Sequence, residues 1–173
     1  MVQGRSDPPG PGAAGPSRAG AGFELLEHTA DVGIRARGAT PEEAFEQATL
    51  GLAEVLGALA PGPGEAVAVE VSAPDPGGLL VDWLNEVLWL REVRQAWLAG
   101  VQVDRAGDGA AAGSVTLSSK GPAGEGASGD PAPEDGSRDP APDGTFVKAV
   151  TYHRLRVEPD PSGGWLIEVY LDV

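Results

Sequence analysis

At 173 residues the chain has room for one domain, and 26 acidic against 12 basic side chains give it a formal charge of −14. That balance argues against a broad phosphate-binding surface, because nucleic-acid affinity comes largely from Lys and Arg. With no cysteine, disulfides, thiolate zinc sites, iron–sulfur clusters and thiol nucleophiles are excluded. Burial alone must hold the fold, which suits a reducing cytoplasm, and no apolar run approaches the roughly 20 residues a membrane helix needs.

Residues 1–22 hold six Gly, four Pro and four Ala, too little apolar surface to offset ordering entropy, so a disordered tail is expected. The tail has no apolar core of the kind a signal peptide needs. Phe23 to Glu27 reads as a short strand. Val32, Ile34 and Ala36 then alternate with Gly33, Arg35 and Arg37, the pattern of a half-buried strand. His28-Thr29-Ala30-Asp31 lies between the two. Thr40-Pro41-Glu42-Glu43 is a helix start: a capping Thr, Pro at the first position, and Glu43 completing a capping box. Phe45, Ala48, Leu52, Val55, Leu56 and Leu59 make its apolar face, with Glu42, Glu46 and Glu54 mostly off it, and Pro61-Gly62 is the expected stop.

Val67, Val69 and Val71 alternate through the next strand. A second helix is expected from Leu79 to about Trp97, with Leu80, Trp83, Leu84, Val87 and Leu88 buried and Trp89 at the surface. Val101–Val103 and Ser114–Ser118 read as short strands. From Ser118 to Gly144 there are six Gly, five Pro and six acidic residues without one Val, Leu, Ile or aromatic, which predicts a flexible insertion. Thr145–Glu158 is a long strand, or a pair with a bend. Trp165, Ile167, Val169 and Leu171 give the last strand. The Gly pairs at 77–78 and 163–164 are expected in turns.

The order is β-β-α-β-α-β-β-β-β. It predicts an α+β fold, two amphipathic helices packed on a mostly antiparallel sheet of six to seven strands. The domain would span 23–173 with the insertion at about 118–144. Without tail and insertion it keeps −11 of the charge.

No Walker loop, GxGxxG, GxSxG, HExxH or EF-hand spacing occurs. The informative feature is the chain end. Asp172 and the Val173 terminus bring two carboxylates together, and like anions need protonation, water or a cation. Asp31 is the best candidate third carboxylate. The three would make a hard oxygen site for calcium, magnesium or manganese; the plain alternative is a turn-capping Asp31 and a solvated terminus. His28 and His153, the two histidines, are either structural or, with Asp31 and Asp172, parts of a transition-metal or acid–base site. Lys148 is the single lysine outside the insertion, placed to neutralise a carboxylate, meet a partner, or simply face solvent. Asp82 and Glu86 share one helix face, which is ordinarily a solvated one.

Four segments together resemble the archease family. Phe23-Glu24-Leu25-Leu26-Glu27-His28-Thr29-Ala30-Asp31-Val32-Gly33-Ile34 is similar to its opening motif, continued by Thr40-Pro41-Glu42-Glu43-Ala44-Phe45. Asp82-Trp83-Leu84-Asn85-Glu86 resembles the second-helix motif and Val147-Lys148-Ala149-Val150-Thr151-Tyr152-His153 the third. Leu171-Asp172-Val173 resembles the characteristic ending. The resemblance implies a non-enzymatic, cytoplasmic helper of an RtcB-type RNA ligase, promoting guanylylation of the ligase and multiple turnover in tRNA splicing and RNA repair. It implies a divalent-metal site, with calcium the first expectation, on Asp31, Asp172 and Val173. Lys148 would be functional beside that site, with His28 and His153 around it. No direct nucleic-acid binding and no membrane contact are expected. Two other readings stay open: a small metal-dependent hydrolase using Asp31, Asp172 and His153, and a general protein chaperone. The Gly/Pro-rich 118–144 stretch departs from the family, whose connection there is more ordered and carries charged residues.

Overall fold

The computed structural model describes residues 20–27, 31–60, 62–121 and 144–173. Most of the tail, His28 and most of the insertion lie outside the described residues. The element order among the described residues is β1 (Gly22–Glu27), β2 (Asp31–Gly38), α1 (Pro41–Val55), β3 (Glu65–Ser72), α2 (Pro76–Arg94), β4 (Trp97–Gly107), β5 (Ala110–Ser118), β6 (Ala149–Pro159) and β7 (Trp165–Asp172). The expected order therefore holds, and so does the α+β class. The strands divide, however, into two antiparallel sheets, one of order β1-β2-β7-β6 and one of order β3-β5-β4, where one sheet was expected. Each helix touches both. α1 packs on β2 and β4, α2 on β6 and β3, and a single apolar cluster runs through the space between.

α1 begins as its sequence dictates. The Thr40 hydroxyl accepts from the Glu43 N–H at 3.2 Å, and the Glu43 carboxylate accepts from the Ala39 N–H at 2.5 Å. It ends at Val55, before Pro61. Ala58 N–H donates to Ala53 O (2.8 Å) and Gly57 N–H to Glu54 O (2.9 Å), the paired bonds of a Schellman ending. Ala58–Ala60 is then bound to Leu98, so Leu59 is in a parallel bridge and not on the helix face. The α1 glutamates are also not idle. Glu46 accepts from Val103 N–H (2.8 Å) and Glu42 from Ala106 N–H (3.1 Å), which satisfies the outer edge of β4 where its register slips.

α2 starts earlier than expected, at Pro76. Asp75 caps it through the Gly78 N–H at 2.9 Å, so Gly77 and Gly78 form a first helical turn and not a loop. It stops at Arg94, and Trp97 opens β4. Leu79, Leu80, Val81, Trp83, Leu84, Val87, Leu88 and Leu90 are all buried, because α2 is enclosed on several sides. Fully buried Trp83 donates its indole N–H to the equally buried Thr49 hydroxyl at 3.0 Å, and that hydroxyl donates to Phe45 O at 2.7 Å. β4 and β5 are longer than predicted and meet at Asp108-Gly109. Both residues there take positive φ (51° and 76°), the geometry of a two-residue hairpin turn.

Candidate functional site

The first sheet has one face on the core and one on solvent. Ile34, Ala36, Ile167 and Val169 point inward, so Asp31, Gly33, Arg35, Glu168, Tyr170 and Asp172 belong to the outer face. Three of the rows that cross that face bear on the site. Glu24, Arg35, Glu168 and Arg156 are successive register partners on the four strands and alternate in charge. Arg35 bonds Glu168 at 2.6 Å and Glu24 at 2.9 Å, and Arg156 reaches Glu168 at 3.5 Å. The bonds from Glu24 and then Glu168 hold the Arg35 pKa above its ordinary value. The middle row is Leu26, Gly33, Tyr170 and Thr151. Here the Tyr170 ring covers Gly33 so closely that a Cβ at 33 would lie 2.9 Å from it.

The third row, at the sheet's end, is Asp31, Asp172 and Ala149. Asp31 and Asp172 are direct cross-strand partners, which brings their Cβ atoms to about 5 Å. Directly opposed like charges destabilise a strand pair, and no ion pair joins either carboxylate to a described residue. Lys148 enters beside them. Its backbone N–H donates to Asp172 O at 2.8 Å and its ammonium to the main-chain oxygen of Val173 at 3.1 Å. Buried Val147 and the side chain of Val173, packed on the core, fix both sides of that contact. The sheet thus brings Asp31, Asp172, Val173 and Lys148 to one end of its inner strands.

His153 lies on the same face but packs edge-to-face on Tyr170, ring centroids 6.2 Å apart. Among the described residues no three His, Asp or Glu side chains gather as metal ligands, so Asp31, Asp172 and His153 do not form the triad a hydrolase would need. The donor set at that end is two carboxylates and the Val173 oxygen. Those hard oxygens fit a divalent cation that completes its shell with water or a partner's groups.

The chain matches the archease protein family (MTH1598/TM1083) over residues 23–173. It is 34% identical over 152 residues to protein archease of Methanosarcina mazei, which spans 87% of this chain and 95% of that relative. To protein archease of Thermococcus gammatolerans it is 32% identical over 154 residues, 87% of this chain and 98% of the relative. The chain belongs to the archease family.

Solved structures agree on the archease fold. The solution structure of Methanobacterium thermoautotrophicum protein 1598 superposes with a TM-score of 0.60 at 28% identity, covering 88% of this chain and 99% of that one. A crystal structure from Thermotoga maritima, of an archease described as a possible chaperone, gives 0.52 at 21% identity, covering 87% and 96%. The archease second-helix motif has a role here that its sequence did not disclose. Asn85 accepts from the Val150 N–H at 3.1 Å, tying α2 to β6 close to Lys148. An Asn on a helix facing a strand edge was the available signal. An apolar cavity of about 420 Å³, lined by Phe45, Leu79, Val157 and Trp165, lies at the other end of β2 and β7, where Gly38 pairs with Trp165. No helix among the described residues is long and apolar enough to cross a membrane.

Proposed function

We propose that this archease-family chain is a non-enzymatic activator of an RtcB-type RNA ligase, promoting the ligase's guanylylation through a divalent-metal site on Asp31, Asp172 and Val173. One observation carries the reading: two carboxylates face each other across adjacent strands with the nearest ammonium committed to Val173. Calcium is the first candidate and magnesium or manganese the next. A bound cation supplies charge neutralisation for phosphate or carboxylate oxygens. The chain's own part is positional. The β2–β7 register holds the two carboxylates side by side, Asn85 steadies β6, and Lys148 holds the Val173 oxygen by a hydrogen bond. A −11 domain also suits a partner with a basic, RNA-binding surface.

The test is guanylylation of a cognate ligase by catalytic amounts of this protein, with and without divalent cation. Asp31→Asn and Asp172→Asn are expected to abolish stimulation while circular dichroism stays native, and to abolish calcium binding by titration calorimetry. Undiminished stimulation by folded variants would rule the metal site out. Turnover by the isolated protein would return the hydrolase reading.

A further inference from the structure

Five large apolar side chains stand exposed among the described residues, and four of them lie on α2 and β6 or its lead-in. They are Trp89 (53%), Val93 (59%), Phe146 (64%) and Tyr152 (63%). Trp89 and Val93 are four residues apart and share a helix face; Asp82 and Glu86 continue that stripe toward the start of α2. The helix runs antiparallel to β6. A Cβ at Gly77 would meet Leu155 at 2.9 Å, one at Gly78 would meet the Tyr152 hydroxyl at 3.6 Å, and Asn85 binds Val150. Four residues of helix advance about 6 Å, the length of about two strand residues. Continued past Asn85 at those rises, the helix would bring Trp89 and Val93 level with the lead-in to β6, which holds Phe146 and Lys148. That direction points the apolar stripe toward the end of the sheet where Asp31 pairs with Asp172.

We infer that Trp89, Val93 and Phe146 form the apolar half of a protein-docking surface whose other half is that end of the sheet, and that its occupant is a partner protein presenting an apolar pocket rimmed by Arg and Lys. The partner is the ligase of the proposed function, and the inference rests on that reading. Charge complementarity selects this occupant. Asp82, Glu86 and Glu92, with Asp31 and Asp172 at the sheet's end, outnumber Arg94 and Lys148 around the anchors, an excess that disfavours the phosphates of an RNA. Exposed Trp among charges is the composition of an interface anchor.

The experiment measures the affinity of purified ligase for the full chain by calorimetry, beside guanylylation at saturating protein. Trp89→Ala with Val93→Ala, and separately Phe146→Ala, are expected to weaken binding roughly tenfold or more while maximal stimulation is preserved. Asp31→Asn is expected to lose stimulation even at saturating protein, whatever its affinity. Unchanged affinity in both surface variants, with wild-type protein still stimulating, overturns this inference alone. A wild-type chain that neither binds nor stimulates the ligase overturns the functional reading as well. Three other outcomes also overturn the inference: a wild-type dimer that Trp89→Ala makes monomeric, RNA binding lost on Trp89→Ala, or suppression of an unrelated protein's aggregation that depends on Trp89.

Discussion

Lys148 sets the chemistry of the sheet's end by a single contact, its ammonium 3.1 Å from the Val173 oxygen. One positive charge beside two carboxylates lowers their joint attraction for a divalent cation. A charge of +1 against +2 at about 6 Å in water is worth about 1.4 kcal/mol, a factor of ~10 in affinity. Lys148→Met is therefore expected to tighten calcium binding roughly tenfold, because it removes a like charge and frees the Val173 oxygen from its bond to the ammonium. Calorimetry with calcium decides it, and unchanged or weaker binding would show that the ammonium does not act on the carboxylates. Asp31, Asp172 and Lys148 stand out in the sequence because charge interrupts apolar segments there and Lys148 is the single lysine outside the insertion. Thr49 does not. It stands on the apolar face of α1 between Phe45 and Leu52, and only the indole of Trp83, 34 positions away, explains a hydroxyl there.

At the scale of elements, the charge row on the outer face does what local propensity cannot: it makes one register of four strands better than its neighbours. A slip of one residue between β2 and β7 would turn Arg35 away from Glu168 and Asp31 away from Asp172. Glu168 is largely buried and bonded to two arginines, whereas the Arg94–Glu65 pair is exposed on both sides. Glu168→Gln should therefore cost about 1–3 kcal/mol, and Arg94→Ala under about 0.5 kcal/mol. Urea unfolding compares them, with m unchanged; equal effects would mean that the row does not hold the register. Most elements could be read from period and caps. The division into two sheets could not, because β3 pairs with β5 across α2 and β4, a choice made by distant partners. β4 and β5 extend beyond their apolar alternation because Asp108-Gly109 joins them in a tight hairpin that continues the ladder to the turn. α1 ends before Pro61, the stop visible in the sequence, because the Gly57 ending depends on backbone bonds and on the pull of Leu98.

For the whole molecule the governing quantity is charge. Acidic residues exceed basic by 14, and 11 of that excess lies outside tail and insertion, on the folded surfaces that a partner meets. The docking surface combines two forces with different reach. The Trp89–Val93–Phe146 patch acts only at contact, so it governs how long a complex lasts. The acidic field acts at the Debye length, about 10 Å at 0.1 M salt and about 3 Å at 1 M, so it governs how often productive encounters form. The two are separable by kinetics. Raising salt from about 50 mM to about 500 mM is expected to slow association with a basic ligase surface by an order of magnitude or more and to leave dissociation nearly unchanged. Trp89→Ala is expected to do the reverse, speeding dissociation at every salt concentration. Surface plasmon resonance on the immobilised ligase reads both rates. Association indifferent to salt would mean that the acidity serves solubility and takes no part in finding the partner, and the case for a basic occupant would fall with it.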